Sequence, residues 1–156
     1  MRKLINLAIA LALLGVGLFG LVPTASADQV YHTERLELKP VDKAPLRSGF
    51  VVNIHQNGPN IFAHEVYQLN GAAALTTYQV KLLGYLGNTT CLGVPDLVIP
   101  TAVLVTNKSG NGKAEVVFTP EGVEGLHGLV IGVKWQVWMN DLTLDYETRC
   151  TLVTLD

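Results

Sequence analysis

The mature part of this chain lacks nearly everything that marks an enzyme by sequence. There is no GxSxG, no CxxC, no H-x-H and no glycine loop opening a helix that could cradle phosphate. Ser26 falls in the leader, so only Ser48 and Ser109 remain as serine nucleophiles, and both sit in turn-like surroundings. Charged residues make up only 15% of the chain, with no basic stripe. Nucleic acid, whose binding needs clustered Lys and Arg, is therefore not an expected partner. Cysteine is limited to Cys91 and Cys150.

One long apolar run is present, and it lies at the start. Arg2 and Lys3 precede an almost wholly apolar stretch from Leu4 to Val22, and Ala25-Ser26-Ala27 fits the small-x-small cleavage rule. The reading is a signal peptide over 1–27 and a single domain over 28–156, exported to the cell envelope or exterior, with no membrane span in its mature form. Loss of Arg2 and Lys3 takes the formal charge from −2 to −4. In an exported chain two cysteines imply one disulfide, Cys91 to Cys150.

The mature chain is written in alternation. From Gly128 to Asn140, Leu129, Ile131, Val133, Trp135, Val137 and Met139 point one way, while Val130, Gly132, Lys134, Gln136 and Trp138 point the other. A period of two is the mark of a strand with one face on a core. Trp135 is then core and Trp138 at least half exposed. A return strand from Leu144 pairs Val137 with Tyr146 and Val133 with Cys150, turning Cys150 inward.

Similar runs cover residues 34–39, 50–56, 61–69, 77–87, 97–106 and 113–119, separated by Gly, Asn and Pro turns. The segment 34–39 reads as an edge strand. Pro100 places its own strand at an edge or a bulge. Asn107 to Gly112 reads as a hairpin loop pairing Val105 with Ala114 and Val103 with Val116. Seven or eight strands without a helix imply an all-β antiparallel sandwich, with a small barrel as the alternative.

Leu69-Asn70-Gly71 followed by Thr76-Thr77-Tyr78-Gln79-Val80 resembles a step in fibronectin type III and related immunoglobulin-like domains. The run Leu104 to Gly112 is similar to hairpins of bacterial extracellular immunoglobulin-like domains. The resemblance covers about a quarter of the mature chain and implies an immunoglobulin-like sandwich. It carries no site residues. The order Cys91, Trp135, Cys150 departs from the antibody pattern, because Trp135 lies close before the second cysteine.

Candidate sites come from the hairpin around Asn57-Gly58-Pro59-Asn60. A four-residue loop sets Ile54 opposite Ala63 and Val52 opposite Glu65. One face then carries Phe50, Val52, Ile54, Ile61, Ala63, Tyr67 and Leu69, and is assigned to the core. The other carries Val51, Asn53, His55, Phe62, His64, Val66 and Gln68. Asn53, His55, Phe62 and His64, with Trp138, form the candidate binding surface, since apolar groups rimmed by hydrogen-bonding ones suit recognition.

His55 and His64, as diagonal neighbours, are a candidate pair for Zn²⁺ or Cu²⁺, needing His32 or His127 as a third ligand. Glu65 on the core face is a candidate acid or base, because burial raises a carboxyl pKa. The functional expectation is a non-enzymatic exported module for binding, adhesion or envelope association, with no cofactor and a protein or glycan partner at the cell exterior. The alternative is a small secreted metal-binding protein or metalloenzyme using those histidines.

Overall fold

A computed structural model describes residues 31–56, 63–119 and 128–154. The leader, the turn at residues 57–60, Phe62 and His127 lie outside the described residues. Ten strands and no helix are found there: β1 Tyr31–Glu37, β2 Lys39–Pro40, β3 Ser48–Gln56, β4 Ala63–Asn70, β5 Thr77–Tyr85, β6 Leu97–Val105, β7 Gly112–Phe118, β8 Val130–Met139, β9 Thr143–Glu147 and β10 Thr151–Thr154.

The strands make two antiparallel sheets that face each other and do not close into a barrel. Sheet A has the order β1-β3-β4-β7, and sheet B the order β2-β9-β8-β5-β6, with β10 also on β8. The chain leaves sheet A at the end of β1 and joins sheet B two residues later as β2. Successive strands β3 and β4 stay side by side in sheet A, whereas the strict immunoglobulin order sends the chain to the opposite sheet after its second strand.

The core forms where the inner faces meet. Leu36, Val51, Tyr67 and Leu69 from sheet A pack against Tyr78, Val80, Leu104, Val133, Trp135, Val137 and Tyr146 from sheet B. Trp135 is fully enclosed, as the alternation of β8 predicts. Trp138 lies on the outer face. It is half-buried, more covered than alternation alone suggests, because the Lys81 ammonium sits 4.7 Å from its ring centroid.

Three expectations need correction. First, the β3–β4 register is displaced by one residue: Ile54 faces His64, Asn53 faces Glu65 and Val52 faces Val66. A one-residue slip turns a whole strand over. Val51 and Asn53 point into the core, and Phe50, Val52 and Ile54 point out. Phe50 is shielded there by the Arg35 guanidinium, 4.0 Å from its ring centroid.

Second, β6 and β7 are not a paired hairpin. The Asn107–Asn111 turn forms, with the Asn107 side-chain oxygen accepting from the amides of Ser109 and Asn111. It then delivers β7 to sheet A beside β4. The turn is anchored by Ala72 N–H donating to Gly110 O at 3.0 Å. A Cβ on Gly110 would lie 2.0 Å from Ala72 O, so the approach requires glycine.

Third, Cys150 does not point into the main core. The Cys91–Cys150 disulfide is present, but it joins a satellite cluster with Leu83 and Tyr85. The connection between β5 and β6 folds back over β8 here. A Cβ on Gly132 would meet Asn88 O at 2.3 Å and Cys91 Sγ at 3.2 Å. The last hairpin explains the change. Val137 faces Tyr146 and Gln136 faces Glu147 as anticipated, but the chain leaves strand conformation over residues 148–150, and β10 resumes with Thr151, not Cys150, opposite Val133.

Trp135→Ala should cost about 3–5 kcal/mol of unfolding free energy. Trp138→Ala should cost about 1 kcal/mol, the scale of an exposed cation–π contact. Urea denaturation of both variants checks this, and equal losses would contradict the inside-outside assignment.

Candidate functional site

The residues proposed as one surface are divided among three environments. Asn53 is 2% exposed and lies between the sheets. His55 shares its inward-facing parity and is half-buried near the end of the sandwich. His64 is on the opposite, outer face of sheet A, with Nε2 3.6 Å from Glu115. The two histidines therefore do not share a face, and the diagonal pair drawn for a metal ion is not formed. Among the described residues, no three His, Cys, Asp or Glu side chains gather as a metal site would need. Trp138 belongs to the other sheet altogether.

What the register brings together instead is a polar cluster inside the sandwich. Glu65 is 2% exposed. Trp135 Nε1 donates to its Oε2 at 2.8 Å, and the Tyr67 hydroxyl donates to the same oxygen. One carboxyl thus ties β4 of sheet A to β8 of sheet B. Glu65 was correctly placed on the core face, but its cross-strand neighbour is Asn53 and not Val52.

Burial pushes the Glu65 carboxyl up from 4.5 to about 7, against the two donors, which pull it down. Burial and the adjacent Glu65 carboxylate raise the Tyr67 phenol, keeping it protonated. Asn53 Oδ1 is buried with no hydrogen-bond partner among the described residues. A protonated Glu65 can donate to such an acceptor, and an ionised one cannot. The cluster is enclosed by both sheets, with Glu65 bonded to Tyr67 and Trp135.

The outer face of sheet B is built differently. Trp138 lies on its middle strand, β8, one residue before the strand ends. Its Nε1 donates to Gln136 Oε1 at 3.2 Å, and Lys81 over its ring pairs with Asp141 at 2.5 Å. Lys134 meets Glu147 at 3.0 Å, and Gln136 donates to the same Glu147 oxygen at 3.3 Å. The result is an ordered lattice of amides and ion pairs around one indole. Along its side runs β6, whose Val98, Val103 and Val105 are 54%, 59% and 60% exposed. Sequence reasoning identified Trp138 but missed this strip. The alternation of β6 was visible, but no residue in it showed that its outer side would be left uncovered.

A cleft of about 590 Å³ opens where the chain passes from β1 to β2, lined by Arg35, Glu37, Lys39, Glu147 and Arg149. Its charges alternate in sign. Glu147 is already engaged by Lys134, and Arg149 lies 3.5 Å from Glu34. The cleft therefore offers no field of one sign to a ligand. Compared with protein families, curated proteins and solved structures, the chain matches none.

The raised Glu65 pKa has a defined consequence for stability. A group protonated more readily in the folded state stabilises it most below its unfolded value, here 4.5. That contribution is lost as pH rises through about 7. Measured against Glu65→Gln, the wild type should lose about 3 kcal/mol of relative stability between these limits. Urea melts at acidic and mildly alkaline pH check it, and a difference independent of pH would contradict the burial.

Proposed function

We propose that this chain is an exported, non-enzymatic binding module that recognises a protein through the outer face of sheet B. The observation that carries the reading is the Trp138 lattice with the exposed valine strip beside it. Protein interfaces commonly place an aromatic anchor and apolar area beside hydrogen-bonding groups, with charged pairs toward the rim. Here the indole is oriented by Gln136 and Lys81 before any partner arrives, so little side-chain freedom remains to be lost on binding.

Export is supported by the leader pattern in the sequence and by the Cys91–Cys150 disulfide, which suits an oxidising compartment. Among the described residues, no helix is long and apolar enough to cross a membrane. The candidate acid, Glu65, is enclosed and committed to Tyr67 and Trp135, which favours a structural role over catalysis.

Fluorescently labelled protein should bind envelope preparations of the producing cell saturably. Trp138→Ala should weaken that binding at least about tenfold, a loss near 1.4 kcal/mol, without a matching loss of fold. Soluble envelope polysaccharide should not compete. Undiminished binding by the variant would reject the outer face as the site, and displacement by polysaccharide would reject a protein partner.

A further inference from the structure

Among the described residues five strands have a neighbour on one side only; three of them carry charge, and the four-residue β10 does not. β1 has Glu34, Arg35 and Glu37, β2 has Lys39, and β7 has Lys113 and Glu115. Charged side chains of this kind normally protect a sheet edge from pairing with another chain. β6, the outermost strand of sheet B beside β5, reads LVIPTAVLV and has none. It is blunted by Pro100 and by a bulge at Thr101.

The unused hydrogen-bonding side of β6 can be located. Thr106 N–H donates to Thr76 O at 3.0 Å. Bonded pairs in an antiparallel ladder recur at every second residue. With Tyr78 opposite Leu104 and Val80 opposite Ala102, these are the pairs bonded to β5. The backbone groups of Val103 and Val105 then point to the free edge. The ladder shifts register at Thr101, where Val80 faces Ala102 and Lys81 faces Pro100. Beyond the shift, Val98 and Pro100 take the outward positions.

We propose that β6 pairs antiparallel with β6 of a second copy, about a two-fold axis between Thr101 and Ala102, joining two B sheets into one. This register sets Val98 against Val105 and Pro100 against Val103 on the outer face. It sets Ile99 against Leu104 on the inner face. Every outward pair is apolar. Displacing the strands by two residues would set Val105 against Asp96, or Val98 against Asn107.

The ends of the ladder also match in charge. Asp96 of one copy falls beside Asn107 and Lys108 of the other, so two acid–base contacts flank the uncharged strand. Both side chains are exposed. Pro100 has no N–H, so each strand gives up one donor. That limits the ladder to a short, specific pairing.

The ladder uses the backbone edge of β6, whose valines also border the outer face around Trp138, so its test reads self-association and not envelope binding. Sedimentation of the purified domain across a roughly thousandfold concentration range tests it, because a dimer dissociates on dilution. The wild type should shift from monomer to dimer, with Val103 and Val105 amides slowing in hydrogen exchange as the dimer forms. Val103→Lys combined with Val105→Lys should weaken the dimer at least about tenfold. Both positions are more than half exposed, and an unchanged melting temperature at low concentration verifies the variant's fold. A wild type monomeric throughout would overturn the proposal. So would a dimer indifferent to the two lysines, or one in which these amides exchange freely.

Discussion

A single carboxyl oxygen holds the middle of this molecule together. Glu65 Oε2 accepts from the Trp135 indole of sheet B and from the Tyr67 hydroxyl of sheet A. A buried polar group left without partners would cost several kcal/mol, so both donors must arrive in place for the sheets to close. The tie fixes Glu65 on the inner face of β4, and β3 takes its facing from the register against that strand. With Glu65 inward, its cross-strand neighbour Asn53 is inward too, and Val51 follows on the same side. The tie is supported elsewhere. The Tyr146 hydroxyl donates to Pro45 O at 2.8 Å, and Thr151 Oγ1 donates to Glu34 at 2.8 Å.

What the interior claims, the surfaces lose. Asn53 is taken into the core, and His55 and His64 are left on different faces of sheet A, so that hairpin does not present the surface its composition suggested. Sheet B keeps its outer face. Loop residues around Cys91 cover only the end near Gly132, where the absence of a side chain lets Asn88 approach. Among the described residues nothing covers the rest, from Trp138 across to β6.

The fold class was legible because alternation in β8, β5 and β4 is strong and turns are marked by Gly, Asn and Pro. Trp135, the disulfide partners and the inward Glu65 followed from the same pattern. The orientation of β3 did not. Phe50, Val52 and Ile54 are more apolar than Val51, Asn53 and His55, and hydropathy therefore selected the wrong side. What decides its facing is the register against β4, Asn53 opposite Glu65, and local hydropathy does not report a register. The β6–β7 turn was legible as a turn, but a turn sequence does not say whether the returning strand stays in the same sheet. The exposed β6 strip was illegible for a related reason: exposure depends on sheet order, which periodicity does not encode.

The most direct test of this account is an NMR titration that follows the Glu65 carboxyl carbon and the Trp135 indole N–H together. The account predicts one shared midpoint near 7, with the indole proton protected from solvent exchange on both sides of it. A carboxyl titrating near 4.5, with an indole resonance that ignores it, would show that Glu65 is not the tie between the sheets.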